Sequence, residues 1–259
     1  MAFAQPVGDY TGDPSAFYAQ TKQLNQFIRR FNGEEALGGN RFYPGNALYH
    51  DRNLRKGYLE TLFDLSNPEL TPSLRNSFTQ QALDKPFFLD FHGGNWFAEV
   101  HATVLYQGKE EDITLFMKLE EEKVGSEWVF FDVYFAPFDK LFASPDPEGL
   151  QPAFLHPLSH ELDFMNLSKI FRNQQYLESY AAREFRPDHF TLFLWEAKRK
   201  ALTFKGVNEV KFHFFQMDGW YIEVSEFNRE GRNRGWLISQ ALPLESGQSD
   251  LLTRFILRK

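Results

Sequence analysis

Two stretches near the middle of the chain set its period. DITLFMKL (Asp112 to Leu119) and WVFFDVYFA (Trp128 to Ala136) are β-prone runs with side chains alternating between two faces, joined by a polar connection containing a glycine. A period of two does not fit a helix, so this region is antiparallel sheet. WYIEVSEF (Trp220 to Phe227) and WLISQAL (Trp236 to Leu242) repeat the arrangement, and Trp220 stands 108 residues after Asp112. In both places a Trp opens the second run. The chain reads as two copies of one sheet-forming unit.

Helical spacing precedes each sheet. Phe17, Leu24, Phe27, Ile28 and Phe31 mark an amphipathic helix that Asn32-Gly33 stops; Leu54, Tyr58, Leu62 and Phe63 mark a second, and Thr71-Pro72 starts a third. Phe87 to Phe91, Trp96 to Tyr106, Ile113 to Glu120 and Trp128 to Phe135 follow as a four-strand meander. Pro137 to Pro157 holds five of the thirteen prolines and reads as a linker. Beyond it the order recurs: helices at Phe164 to Phe171, Tyr176 to Phe185 and from Pro187, then strands at Ala201 to Phe204, Glu209 to Gln216, Trp220 to Phe227 and Trp236 to Leu242. The final LLTRFILRK fits a strand or a helix. The expected fold class is α+β, two tandem domains of three helices on a curved antiparallel sheet, at 14–136 and 159–259 with a linker at 137–158.

The totals narrow the function. Aromatics make up 17% of the 259 residues, 29 of them Phe, so ring-filled cores or ring-lined interfaces are expected. A net charge of −7 repels polyanions and argues against nucleic acid. There is no cysteine, hence no disulfide, thiol nucleophile or thiolate metal site. No apolar run approaches the ~18 residues of a membrane span. Met1 to Gln5 carries an A-x-A triplet that suits either a signal-peptide remnant or a short irregular start, so a soluble chain, cytoplasmic or exported after cleavage, fits the sequence.

Alternation assigns the faces. In the first half Val100, Ala102, Val104, Ile113, Leu115, Met117, Val129, Phe131 and Val133 form the face expected to cover the helices. Phe97, Glu99, His101, Thr103, Thr114, Phe116, Lys118, Trp128, Phe130, Asp132 and Tyr134 form the other. Charges among large rings suit a buried interface. In the second half Val210, Phe212, Phe214, Trp220, Ile222 and Val224 face the helices, with Glu226 the one charge, while Glu209, Lys211, His213, Tyr221, Glu223 and Phe227 face away.

Helices followed by an antiparallel meander, the Phe-rich first helix and the aromatic strand WVFFDVYF together resemble the nuclear transport factor 2-like superfamily. The resemblance spans roughly 14–136 and 159–243. It implies cone-shaped domains, a pocket at the open end of each cone and association through the outer sheet face. Members include isomerases, dehydratases, hydrolases and non-enzymatic binding domains, so the fold leaves function open.

Candidate chemistry is sparse. His101 with Asp132 and Tyr134 is the best acid/base constellation, though a satisfied polar cluster is the commoner meaning of such residues. His156, His160 and Glu161 fit helix-start packing better than a metal, because Pro157 separates the histidines. DFHGGNW (Asp90 to Trp96) lacks any phosphate-binding pattern and reads as a turn. Glu226 calls for a partner such as Lys198, Arg199 or Arg172, or else for a place at the mouth of a pocket. No G-x-S-x-G supports a nucleophile. The expectation is a non-enzymatic binding or scaffold protein with no cofactor and no metal. It uses His101, Phe116, Trp128, Phe130, Asp132, Tyr134 and Glu226 for an apolar or aromatic ligand, a protein partner or self-association. The alternative is a small-molecule isomerase, dehydratase or hydrolase with one active cone.

Overall fold

The computed structural model describes residues 20–21, 23–36, 38–122, 125–141, 155–172, 177, 180–182, 187–231 and 233–259. The sequence start, the segment SPDPEG and six of the ten residues of the helix expected at Tyr176 to Phe185 lie outside them. The fold is α+β, and seven strands stand in the order β1-β7-β6-β5-β2-β3-β4. They are β1 (Gln20–Thr21), β2 (Trp96–Tyr106), β3 (Lys109–Glu122), β4 (Gly125–Tyr134), β5 (Leu202–Phe214), β6 (Trp220–Phe227) and β7 (Arg234–Pro243). Where one sheet was expected in each half, strands of both halves share this order, with β2 beside β5. The chain divides into two compact units, one of residues 1–101, 115–131 and 207–259, the other of 102–114 and 132–206.

In the first unit the expected helices form as α1 (Leu24–Asn32), α2 (Arg52–Thr61) and α3 (Pro72–Asp84). Each has a local cause. Gly33 caps α1 at φ 74°, a left-handed conformation in which a Cβ would stand 2.6 Å from Arg55 Cγ. Asp51 and Thr71 cap α2 and α3 by accepting the N–H of Leu54 and Leu74. Arg55 points inward, donates to the α1 carbonyl of Phe31 and lies over the Phe88 ring. Burial, together with the charge of Arg52, pulls its guanidinium down to about 10.

The helices pack on Phe212, Phe214, Trp220, Ile222, Val224 and Ile238. Phe78 meets Phe63 and Trp220 edge-on at 5.6 and 5.1 Å. That is the face assigned by alternation on β5 and β6. Phe87 to Phe91, expected as a strand, is irregular backbone: the Asn32 side-chain amide donates to Leu89 O and accepts the Leu89 N–H, so pairing there is to a side chain. The undecided C-terminus is a helix, α7 (Gln248–Ile256).

The second unit holds the β2–β3 turn, where Gln107 and Gly108 both have positive φ as a tight hairpin requires. It also holds α4 (Ala136–Leu141), a 3₁₀ turn at Pro157–Leu162, α5 (Leu167–Arg172) and α6 (His189–Lys198). Tyr106, Phe135 and Phe138 form its ring cluster. His156 caps the 3₁₀ turn by accepting the Leu158 N–H.

Candidate functional site

On the face of the first unit turned away from its helices, β2, β5, β6 and β7 bring together a buried polar chain. Glu99 is held from both sides: Oε1 lies 2.9 Å from His101 Nε2 and Oε2 lies 2.8 Å from His213 Nε2. A carboxylate only accepts, so Nε2 of His213 is the donor. The other ring nitrogen, Nδ1, meets the Tyr221 hydroxyl at 2.8 Å. Glu223 continues the chain, its Oε1 accepting from Ser239 at 2.7 Å and from Ser225 at 3.3 Å.

Strand geometry explains why these groups converge. Odd-numbered positions of β2 and β5 and residues 221, 223 and 225 of β6 share one face. On β7 the pairing runs Glu223 with Gln240 but Val224 with Ile238. Ser239 is therefore the extra residue of a bulge, and the bulge turns its hydroxyl to Glu223. The same bulge lets Ile238 and Ala241, three apart, both enter the helix-side core.

The electrostatics follow from burial. Desolvation alone raises the Glu99 pKa, but the His213 hydrogen bond and the positive charge of His213, His101 and Lys211 outweigh it and hold the carboxyl below its usual value. Burial pushes the Tyr221 phenol far up, helped by the charges of Glu223 and Glu99, so it stays neutral and keeps its proton. Phe97 lies over His213 at 4.9 Å and contacts Phe116 and Phe131, sealing one flank with rings. His213 and Tyr221 are 1% and 2% exposed. Chemically the chain is a run of carboxylate, imidazole and phenol groups in hydrogen-bonding contact, with its His213 and Tyr221 members buried.

An open site lies elsewhere in the same unit. Gln81, Lys85, Pro86, Phe87, Met217 and Asp218 line a cleft of about 360 Å³. Gln81 is fixed there by the Trp220 indole N–H at 2.9 Å and by the Asp218 carbonyl at 3.3 Å. The lining combines the apolar Pro86, Phe87 and Met217 with the polar Gln81, Lys85 and Asp218.

The residues singled out from the sequence fall in several places. His101 joins the polar chain through Glu99, and Phe116 is fully buried against Phe97 and Phe131. Trp128 is on the helix side, its ring 5.4 Å from Trp96, and Phe130 two residues on is exposed. The face assignment on β4 therefore needs correcting by one residue: Phe131, expected on the helix side, packs with Phe97 and Phe116 on the other face, and Trp128 takes its place. Asp132 has the parity of Trp128, is buried, and accepts the Val133 N–H at 2.9 Å. Tyr134 stacks on His189 and donates to Asp139. Glu226, expected inside with a basic partner, is exposed on β6, and Arg199 pairs with Glu196 instead. The groups not singled out are Glu99, His213, Tyr221 and Glu223.

Among the described residues no group of three or more His, Asp or Glu is placed to hold a metal, and no helix is long and apolar enough to cross a membrane. Comparisons were made with family models, with characterised proteins and with solved structures. The chain matches none of them.

Proposed function

We propose that the chain is a non-enzymatic binding protein whose partner is another protein, engaged through the apolar surface of the second unit. The carrying observation is the exposure of Leu162, Phe164, Met165, Phe171, Trp195 and Phe204, all between 48% and 72%. Single exposed apolar residues are ordinary. Four of them within ten residues, joined in the same unit by a Trp and a Phe, are what an interaction surface needs.

What supports binding over catalysis is the state of the titratable groups. His213 and Tyr221, the imidazole and phenol of the Glu99 chain, are buried with Phe97 over the imidazole, and a general base needs reach to a substrate proton. The nuclear transport factor 2-like kinship suggested by element order, with its two cones, is part of this reading but not required by it. The surface argument rests on the second unit alone.

A photo-reactive phenylalanine analogue placed at Met165 or Phe171, with Lys56 on α2 as the control position, tests the reading in cells of the native source. The expected result is a discrete protein adduct at 165 and 171 and none at 56. Equal labelling at all three positions, or none at any, would overturn it.

A further inference from the structure

The cleft of the first unit has two walls, the end of α3 with Lys85 to Phe87 after it, and the turn between β5 and β6 at Met217 and Asp218. Local sequence shapes both. Pro86 excludes helical backbone at the residue before it, and Lys85 stands at φ −109° and ψ 88°, so α3 stops there. In the other wall Gly219 takes φ 73°, and the Met217 carbonyl accepts the Trp220 N–H at 3.0 Å. Gln81 fastens one wall to the other, its Oε1 accepting the Trp220 indole N–H and its Nε2 donating to the Asp218 carbonyl. Phe87 is held as well: its carbonyl accepts from Arg55, and its ring meets Phe31 edge-on at 6.2 Å. The walls are fixed before a ligand arrives, which spares the ordering cost of binding.

Lys85 and Asp218 carry opposite charges into this one cleft of about 360 Å³, a volume within the range of small-molecule sites. Among the described residues neither the Lys85 ammonium nor the Asp218 carboxylate has an ion-pair or hydrogen-bond partner, so the two stand beyond ion-pair distance of each other. Gln81 Nε2 carries a second hydrogen besides the one given to Asp218. We infer that the cleft binds an apolar α-amino acid as its zwitterion. The ligand carboxylate meets Lys85 and the second Gln81 N–H, its ammonium meets Asp218, and its side chain lies against Phe87 and Met217. Charge selects this class. An anion alone is repelled by Asp218 and a cation alone by Lys85, while a wholly apolar molecule desolvates both charges and pairs neither. The site belongs to the first unit and stands apart from the protein-binding surface of the second.

The Trp220 indole N–H, bonded to Gln81, is a built-in reporter for NMR titration of the full chain. L-Phenylalanine is expected to shift its resonance saturably with a Kd of about 1 mM or below, and to leave the Trp195 indole of the second unit in place. Phenylalaninamide keeps only the ammonium and N-acetylphenylalanine only the carboxylate, and each is expected to bind about fivefold more weakly. Lys85→Gln is expected to weaken L-phenylalanine about fivefold without weakening phenylalaninamide, and Asp218→Asn to weaken it about fivefold without weakening N-acetylphenylalanine. An indole resonance that does not move up to about 20 mM L-phenylalanine, equal affinities for the three ligands, or variants that weaken all three alike overturn the inference. Lys85 and Asp218 are both exposed. Should either variant fail to fold, the three ligands on the wild type still decide.

Discussion

His213 occupies a position where each ring nitrogen has one partner, Glu99 on one side and the Tyr221 hydroxyl on the other. Replacing it with alanine leaves a buried carboxylate short of a donor and a buried phenol without its imidazole. We expect His213→Ala to lower unfolding free energy by about 3 kcal/mol in urea melts. Glu99 gives a second prediction. Its folded-state pKa is depressed, so its contribution is present above the ordinary glutamate value of about 4.3 and is lost as pH falls through the lower folded value. Between pH 6 and 3 the stability of the wild type should fall more steeply than that of Glu99→Gln; parallel curves would refute the assignment. These residues were placed on the correct face by alternation, yet their union was not legible. Glu99 and His213 are 114 residues apart and belong to strands that a reading as two tandem domains assigns to different sheets. Only the neighbouring of β2 and β5 brings them together, and no local pattern encodes that pairing.

At the scale of elements, most helices were legible because their signals are local. Gly33 and Thr71 carry the boundary information, and each supports a prediction. Gly33→Ala combines a left-handed φ with a 2.6 Å approach to Arg55 Cγ and should cost at least about 1 kcal/mol. Thr71→Ala removes the oxygen that accepts the Leu74 N–H and should cost about 1 kcal/mol. Both are read from shifts in denaturation midpoint. β4 was misread for a physical reason: in W-V-F-F-D-V-Y both faces carry apolar residues, and the one charge, Asp132, is buried on the parity of Trp128, so the polar mark points to the wrong face. Ring contacts of Trp128 with Trp96 and of Phe131 with Phe97 supply the mark. The bulge at Ser239 was equally hidden, although Ile238 and Ala241, three apart and both in the core, are its trace.

For the whole molecule, the α+β class followed from the change of period after Pro86. The strand order did not, because a strand returning from β4 to pair at β2 depends on long-range contacts. The functional account rests on side chains that the second unit leaves in solvent. If Phe164, Met165 and Phe171 serve a partner, they contribute little to the fold of the isolated chain. Charged substitutions there should change its stability by no more than about 0.5 kcal/mol each. The direct measurement is thermal unfolding of the Phe164→Glu, Met165→Glu, Phe171→Glu triple variant beside the wild type, together with photo-crosslinking from Trp195 in both. The account predicts a melting temperature within a few degrees of wild type and loss of the wild-type adduct. A melting temperature lowered by well over that margin, or an adduct of unchanged strength, would contradict it.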